Sequence, residues 1–143
     1  MIQYNGLSDT KWECKYHIVF IPKYRRKALF GCIKKSLGEM FHELARQKEC
    51  VIEEGHIMPD HVHMLISIPP KLKVSEVVGF IKGKSAIQIA RQFMNREKNF
   101  TGYHFWARGY FVTTVGHNEE AVRKYIQTQD QRDRTTDQLP LGI

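Results

Sequence analysis

Apolar residues along this chain fall in short blocks, and their spacing switches between a strand period and a helix period. Residues 14–21 (Cys-Lys-Tyr-His-Ile-Val-Phe-Ile) are rich in β-branched and aromatic side chains and stop at Pro22, which predicts a strand. A basic run follows, Lys23-Tyr24-Arg25-Arg26-Lys27. Over residues 33–47 the apolar positions Ile33, Leu37, Met40, Phe41 and Leu44 share one helical face. Residues 49–57 and 61–68 predict two strands joined by Met58-Pro59-Asp60, and Pro69-Pro70 closes the second. Residues 75–93 predict a long helix capped by Ser75, with Gly79 and Gly83 weakening its middle. A polar loop at 95–102 leads into a fourth strand at 105–115. Gly116 breaks that strand. Asn118 is a good N-cap for a last helix that carries Glu119 and Glu120 in its first turn and runs to about Asp130.

The resulting order is β-α-β-β-α-β-α. Its first six elements match a ferredoxin-like split βαβ unit, an α+β fold in which helices cover one face of an antiparallel sheet. The other face stays open unless a ligand, a partner or the last helix covers it. The length of 143 residues suits a single domain, 1–143, with a flexible polar lead-in at 1–11 and a flexible tail at 132–143.

Charge narrows the choice of partner. The net charge is +7, and a basic surface attracts phosphate polyanions, nucleic acid above all. Cys14, Cys32 and Cys50 form no CxxC pair, so they predict reduced thiols rather than a disulfide framework or a zinc ribbon. No stretch approaches a membrane span and the first ten residues have no apolar signal core. A cytoplasmic chain without a membrane partner is the expectation.

Two local patterns carry chemistry. In His61-Val62-His63, strand alternation puts both imidazoles on one face and Val62 on the other, an arrangement that suits a divalent cation. A chance pair of surface histidines gives the same tripeptide, and a metal needs further ligands. The remaining histidines, including His17, His42 and His56, read as structural or surface groups. His104 and His117, flanking the fourth strand, come nearest to helpers. In the last helix Tyr125 and Gln129 are i and i+4, hence neighbours on one face, while Val122 and Ile126 supply a buried stripe. A phenol is a competent covalent nucleophile once its proton is lost, although a tyrosine on an amphipathic helix is more often a packing residue.

Taken together, these segments resemble the single-tyrosine HUH transposases of the insertion-sequence-200-like family. The resemblance runs through Lys15-Tyr16-His17-Ile18-Val19-Phe20, Lys23-Tyr24-Arg25-Arg26, Met58-Pro59-Asp60-His61-Val62-His63-Met64-Leu65, Trp106-Ala107-Arg108-Gly109-Tyr110, Thr114-Val115-Gly116 and Tyr125-Ile126-Gln127-Thr128-Gln129, in that order. The triplet alone is weakly specific, whereas the ordered set is highly so. The resemblance implies that His61, His63 and Gln129 are metal ligands and that Tyr125 is the nucleophile. It also implies a homodimer, in which the tyrosine helix can complete the partner's site, and single-stranded DNA with imperfect hairpins as substrate.

The implied reaction is metal-dependent cleavage and rejoining of single-stranded DNA through a 5′-phosphotyrosine. Mg²⁺ is the expected ion, with Mn²⁺ as substitute. Asp60 is a candidate partner of a ligand histidine, by proximity. Candidate DNA contacts are Lys23, Arg25, Arg26, Lys82, Lys84 and Arg91 for phosphates, and Tyr24 for stacking. Trp106 reads as core before platform. Gly116 reads equally as a simple turn or as a hinge for the tyrosine helix. Three competing readings stay open: a non-catalytic single-stranded nucleic-acid-binding module, a related tyrosine nuclease acting on dispersed chromosomal repeats, and a metallohydrolase that uses water.

Overall fold

The computed structural model describes residues 5–7, 10–23, 27–93, 105–116 and 119–138, with side chains for 12–23, 33–92, 105–116 and 119–129. A short hairpin, β1 (Asn5–Leu7) and β2 (Thr10–Trp12), occupies the expected lead-in. The body follows as β3 (Lys15–Phe20), α1 (Lys27–Gln47), β4 (Val51–Ile57), β5 (Val62–Ser67), α2 (Val74–Phe93), β6 (Phe111–Thr114) and α3 (Glu119–Gln138). Strands β3 to β6 form one antiparallel sheet in the order β4-β5-β3-β6. That is the ferredoxin-like arrangement, with β3 and β5 in the centre and β4 and β6 at the edges.

Strand alternation divides the side chains between two layers. Ile18, Phe20, Val62, Met64 and Ile66 point to one face and bury against Leu37, Phe41 and Leu44 of α1 and Val77, Ile81 and Ile89 of α2. This is the main core. The opposite face carries a small separate cluster, in which Ile126 and Val122 of α3 pack on Leu65 and Val115. The last helix therefore covers part of the face that the first six elements leave open.

Several boundaries differ from the sequence pattern, each for a local reason. Helix α2 begins at Val74, so Ser75 lies inside its first turn. The entry is closed by Glu76 Oε1, which accepts a hydrogen bond from the Lys73 backbone N–H at 3.0 Å. Helix α1 ends in a Schellman turn, with Cys50 N–H donating to Ala45 O and Glu49 N–H to Arg46 O, both at 2.9 Å. Glu49 takes the left-handed position, φ 60°, where glycine is usual.

The fourth strand is split. Trp106 pairs with Pro22 as an isolated bridge, Gly109 turns the chain at φ 82°, and only Phe111–Thr114 joins the sheet. Phe105 and Trp106 are drawn into the main core, where Trp106 Nε1–H donates to Ser85 Oγ at 3.0 Å and its ring meets Phe20 edge-on. Trp106 is thus a core residue. Helix α3 extends past Asp130 to Gln138, since no glycine or proline interrupts the sequence before Pro140.

Candidate active site

The candidate site lies on the sheet face that α3 covers. A turn ahead of β5, closed by Met58 N–H donating to His61 O at 2.9 Å, leaves His61 one residue short of the strand. Its ring still sits beside that of His63, with centroids 4.6 Å apart. Asp60 Oδ1 lies 2.8 Å from His61 Nδ1, so the carboxylate orients that imidazole.

His63 is nearly buried and has a different neighbour. Its Nδ1 is 3.0 Å from His17 Nε2, across the β3–β5 pair. Burial pushes the His63 pKa down to about 4, helped by the like-charge cost of His61, His17 and His56 around it. Burial lowers that of His17 as well. Both rings are therefore neutral near neutral pH, the form that can ligate a cation.

Tyr125 comes to this group from α3. Its ring meets those of His63 and His17 edge-on, at centroid distances of 6.1 and 6.2 Å, and it remains 49% exposed. Two devices hold it there. Ile126, the next residue, is buried on Leu65 and Val115. Two residues before and two residues after Tyr125, Arg123 and Gln127 reach the β4 edge. Arg123 donates to Glu53 O at 3.0 Å and pairs with Glu54 at 3.3 Å, and Gln127 Nε2–H donates to Glu54 at 3.2 Å. A bulge between Ile52 and Glu54 presents these acceptors. Arg123 also meets Glu119, to which Lys15 of β3 is joined by a short ion pair.

The chemistry of the donor set decides whether it suits a metal ion. Asp60 and His17 engage both Nδ1 atoms, leaving the two Nε2 atoms of His61 and His63 as ligands. No cluster of three or more His, Cys, Asp or Glu able to hold a metal occurs among the described residues. The pair thus fits a cation that takes its remaining ligands from an amide, water or phosphate oxygen. Gln129 lies one turn beyond Tyr125 and is partly buried. Among the described residues it makes no hydrogen bond to either imidazole.

The remaining site candidates are distributed differently. Tyr24, Arg25 and Arg26 lie outside the described residues, as do His104 and His117. Lys82, expected to meet phosphate, instead donates to the carbonyls of Ala107 and Gly109, both at 2.8 Å, and so clips the split strand to α2. Lys84 and Arg91 are exposed on α2, in the layer opposite Tyr125. Lys23 is exposed, and its backbone N–H donates to Phe105 O. A groove of about 840 Å³ passes from His63 and Gln127 around the β4 edge to Lys34 and Lys35 of α1.

Sequence reasoning missed His17 and His56 as neighbours of the pair. Strand parity alone could not find them, because a cross-strand partner depends on register. Observed register puts His17 opposite Leu65 and Val19 opposite His63, and His56 directly opposite His63.

Comparison with known proteins identifies the family of the chain. The family described as "Transposase IS200 like" matches residues 10–129. The transposase for insertion sequence element IS200 of Salmonella typhimurium is 42% identical over 136 residues, covering 95% of this chain and 90% of the relative. The ISDra2 transposase TnpA of Deinococcus radiodurans is 28% identical over 123 residues, covering 85% and 88%. A transposase crystal structure from Deinococcus radiodurans superposes with a TM-score of 0.67 at 26% identity, covering 89% of this chain and 98% of that one. The structure of a REP-associated tyrosine transposase bound to a REP hairpin has a TM-score of 0.65 at 14% identity, covering 92% and 74%, and shares the fold. The fold is that of a transposase. The chain belongs to the IS200-like transposase family. No helix among the described residues is long and apolar enough to cross a membrane.

Proposed function

We propose that this transposase cuts and rejoins single-stranded DNA at hairpin-bearing ends of its own insertion element, with Tyr125 as nucleophile. The observation that carries the reading is the convergence of a half-exposed phenol from α3 on the imidazoles of His63 and His17 from the sheet. A packing tyrosine would be buried; this one faces both solvent and the histidine pair.

His61 and His63 would hold Mg²⁺, or Mn²⁺ in its place, through Nε2, with Gln129 as a third ligand. The bound ion would draw charge from a non-bridging oxygen of the scissile phosphate. Tyr125 Oη attacks phosphorus in line, the P–O3′ bond breaks, and the 3′ oxygen takes up a proton. The 5′ phosphate is left on the tyrosine. One phosphodiester replaces another, so the step is nearly isoenergetic, and a new 3′-hydroxyl reverses it to give strand transfer. Identity of 42% to the transposase of an insertion element favours element ends over dispersed repeats.

Several surfaces support DNA and dimer contacts. Lys34 and Lys35 are placed to meet phosphates along the groove that ends at His63. Among the described residues strand β6 is an edge of the sheet and exposes Phe111 and Val112, a surface suited to a second copy of the chain. Light scattering should give a dimer, and a monomer at micromolar concentration would remove that part of the reading.

The central test uses single-stranded hairpin oligonucleotides from the DNA flanking the gene, labelled at the 3′ end. With Mn²⁺, the label should stay on the protein in a denaturing gel, and Tyr125→Phe should abolish this adduct. Cleavage without any adduct would instead indicate water as nucleophile. Neither cleavage nor adduct, with binding intact, would indicate a binding module.

A further inference from the structure

We infer that His17 is a positioning residue that fixes the tautomer and ring orientation of His63. The inference rests on reading His61 and His63 as the metal-binding pair. The His17 and His63 rings are inclined by only 15°, yet their centroids are 5.2 Å apart while two of their nitrogens are 3.0 Å apart. At that separation the faces do not touch. The rings instead meet edge to edge, in nearly one plane, along a nitrogen–nitrogen hydrogen bond.

A neutral imidazole has one N–H and one lone pair, so such a bond sets both tautomers at once. For His63 to offer its Nε2 lone pair, its proton must sit on Nδ1. The Nδ1–H then donates to His17 Nε2, which must accept, and the proton of His17 is confined to its own Nδ1. His61 has the corresponding arrangement with a carboxylate, Asp60, as acceptor. Each imidazole of the pair thus has its rear nitrogen held by the protein, one by an anion and one by a neutral ring. Metal-ligating histidines characteristically have such a partner, and its loss weakens metal binding about 10–100-fold.

The surroundings of His17 fit this task. It sits on β3 in the centre of the sheet, and its ring also touches Phe111 and Tyr125 edge-on. The aromatic contacts limit its rotation. The same ring that aligns His63 therefore borders the phenol, which ties the position of one to the other.

The test begins with metal-free protein. Long-range ¹H–¹⁵N NMR of the imidazoles should show His63 as the Nδ1–H tautomer in the unaltered chain. His17→Phe, which keeps a planar ring without an acceptor, should shift His63 towards Nε2–H and lower Mn²⁺ affinity in calorimetry about 10–100-fold. His17→Gln, whose amide oxygen can accept the same bond, should restore most of that affinity. An Nε2–H tautomer of His63 in the unaltered protein overturns the inference even if neither variant folds. So does unchanged Mn²⁺ affinity in His17→Phe. His63→Ala separates the two layers of the argument. If it binds Mn²⁺ as well as the unaltered chain, the metal reading itself has failed; if only the His17 variants are silent, that reading stands and His17 is a packing residue.

Discussion

Replacing Ile126 by alanine should release the tyrosine helix without unfolding the domain. Ile126 is 1% exposed and, among the described residues, shares its cluster with Leu65, Val115 and Val122. The main core, built between the sheet and α1 with α2, lies on the other side of the sheet. The substitution removes three side-chain carbons, worth about 0.8 kcal/mol each, and the residual cavity brings the cost to about 3 kcal/mol. Other anchors of α3 are the hydrogen bonds of Arg123 and Gln127 to β4, which net about 1 kcal/mol apiece, and the partly exposed ion pair of Glu119 with Lys15 of β3, which adds no more than about 1 kcal/mol. Losing about 3 kcal/mol therefore removes about half of what keeps α3 docked. Native-state hydrogen exchange should show protection across 119–129 falling roughly 100-fold, while the central strands β3 and β5 stay protected. Tyrosine-adduct formation should fall with it. Equal loss of protection in α3 and β5 would refute the reasoning, since it would make α3 part of one cooperative core. Unchanged protection in α3 would refute it equally.

Two further outcomes follow from the same contacts. Arg123→Ala should loosen α3 by about 1 kcal/mol, because its partly exposed ion pairs contribute little and its bond to Glu53 O contributes most. Glu54→Gln, which keeps a hydrogen-bond acceptor for Arg123 and Gln127, should be milder in the same exchange experiment; a larger effect than that of Arg123→Ala would reverse this ranking. Glu49→Gly should stabilise the domain by up to about 1 kcal/mol, because a non-glycine residue at φ 60° is relieved in the Schellman turn after α1. Its ion pair with Lys71 is exposed and offsets little. A lower thermal midpoint would contradict that account.

Much of this architecture is dictated locally. The apolar spacing of Ile33, Leu37, Met40, Phe41 and Leu44 specifies a helix and its buried face, and all five are buried. The proline-bounded blocks specify strands, and alternation puts Val62 in the core between two histidines on the other face. These signals are periodic, so a single sequence carries them. The i and i+4 relation of Tyr125 and Gln129 is legible for the same reason.

Tertiary structure decided what meets what. The split of the fourth strand follows from burial of Phe105 and Trp106, which outweighs their strand preference once α2 offers Ser85 and Lys82 as partners. The hydrogen bond between His17 and His63 depends on which residues face each other across β3 and β5, a pairing set by sheet register rather than by neighbours in the chain. The approach of Tyr125 to that pair depends on the small cluster under Ile126 and the bulge that turns Glu53 and Glu54 towards Arg123. Periodicity tells each side chain which face it occupies. Only long-range packing brings faces from distant elements together, and the candidate chemistry is made there.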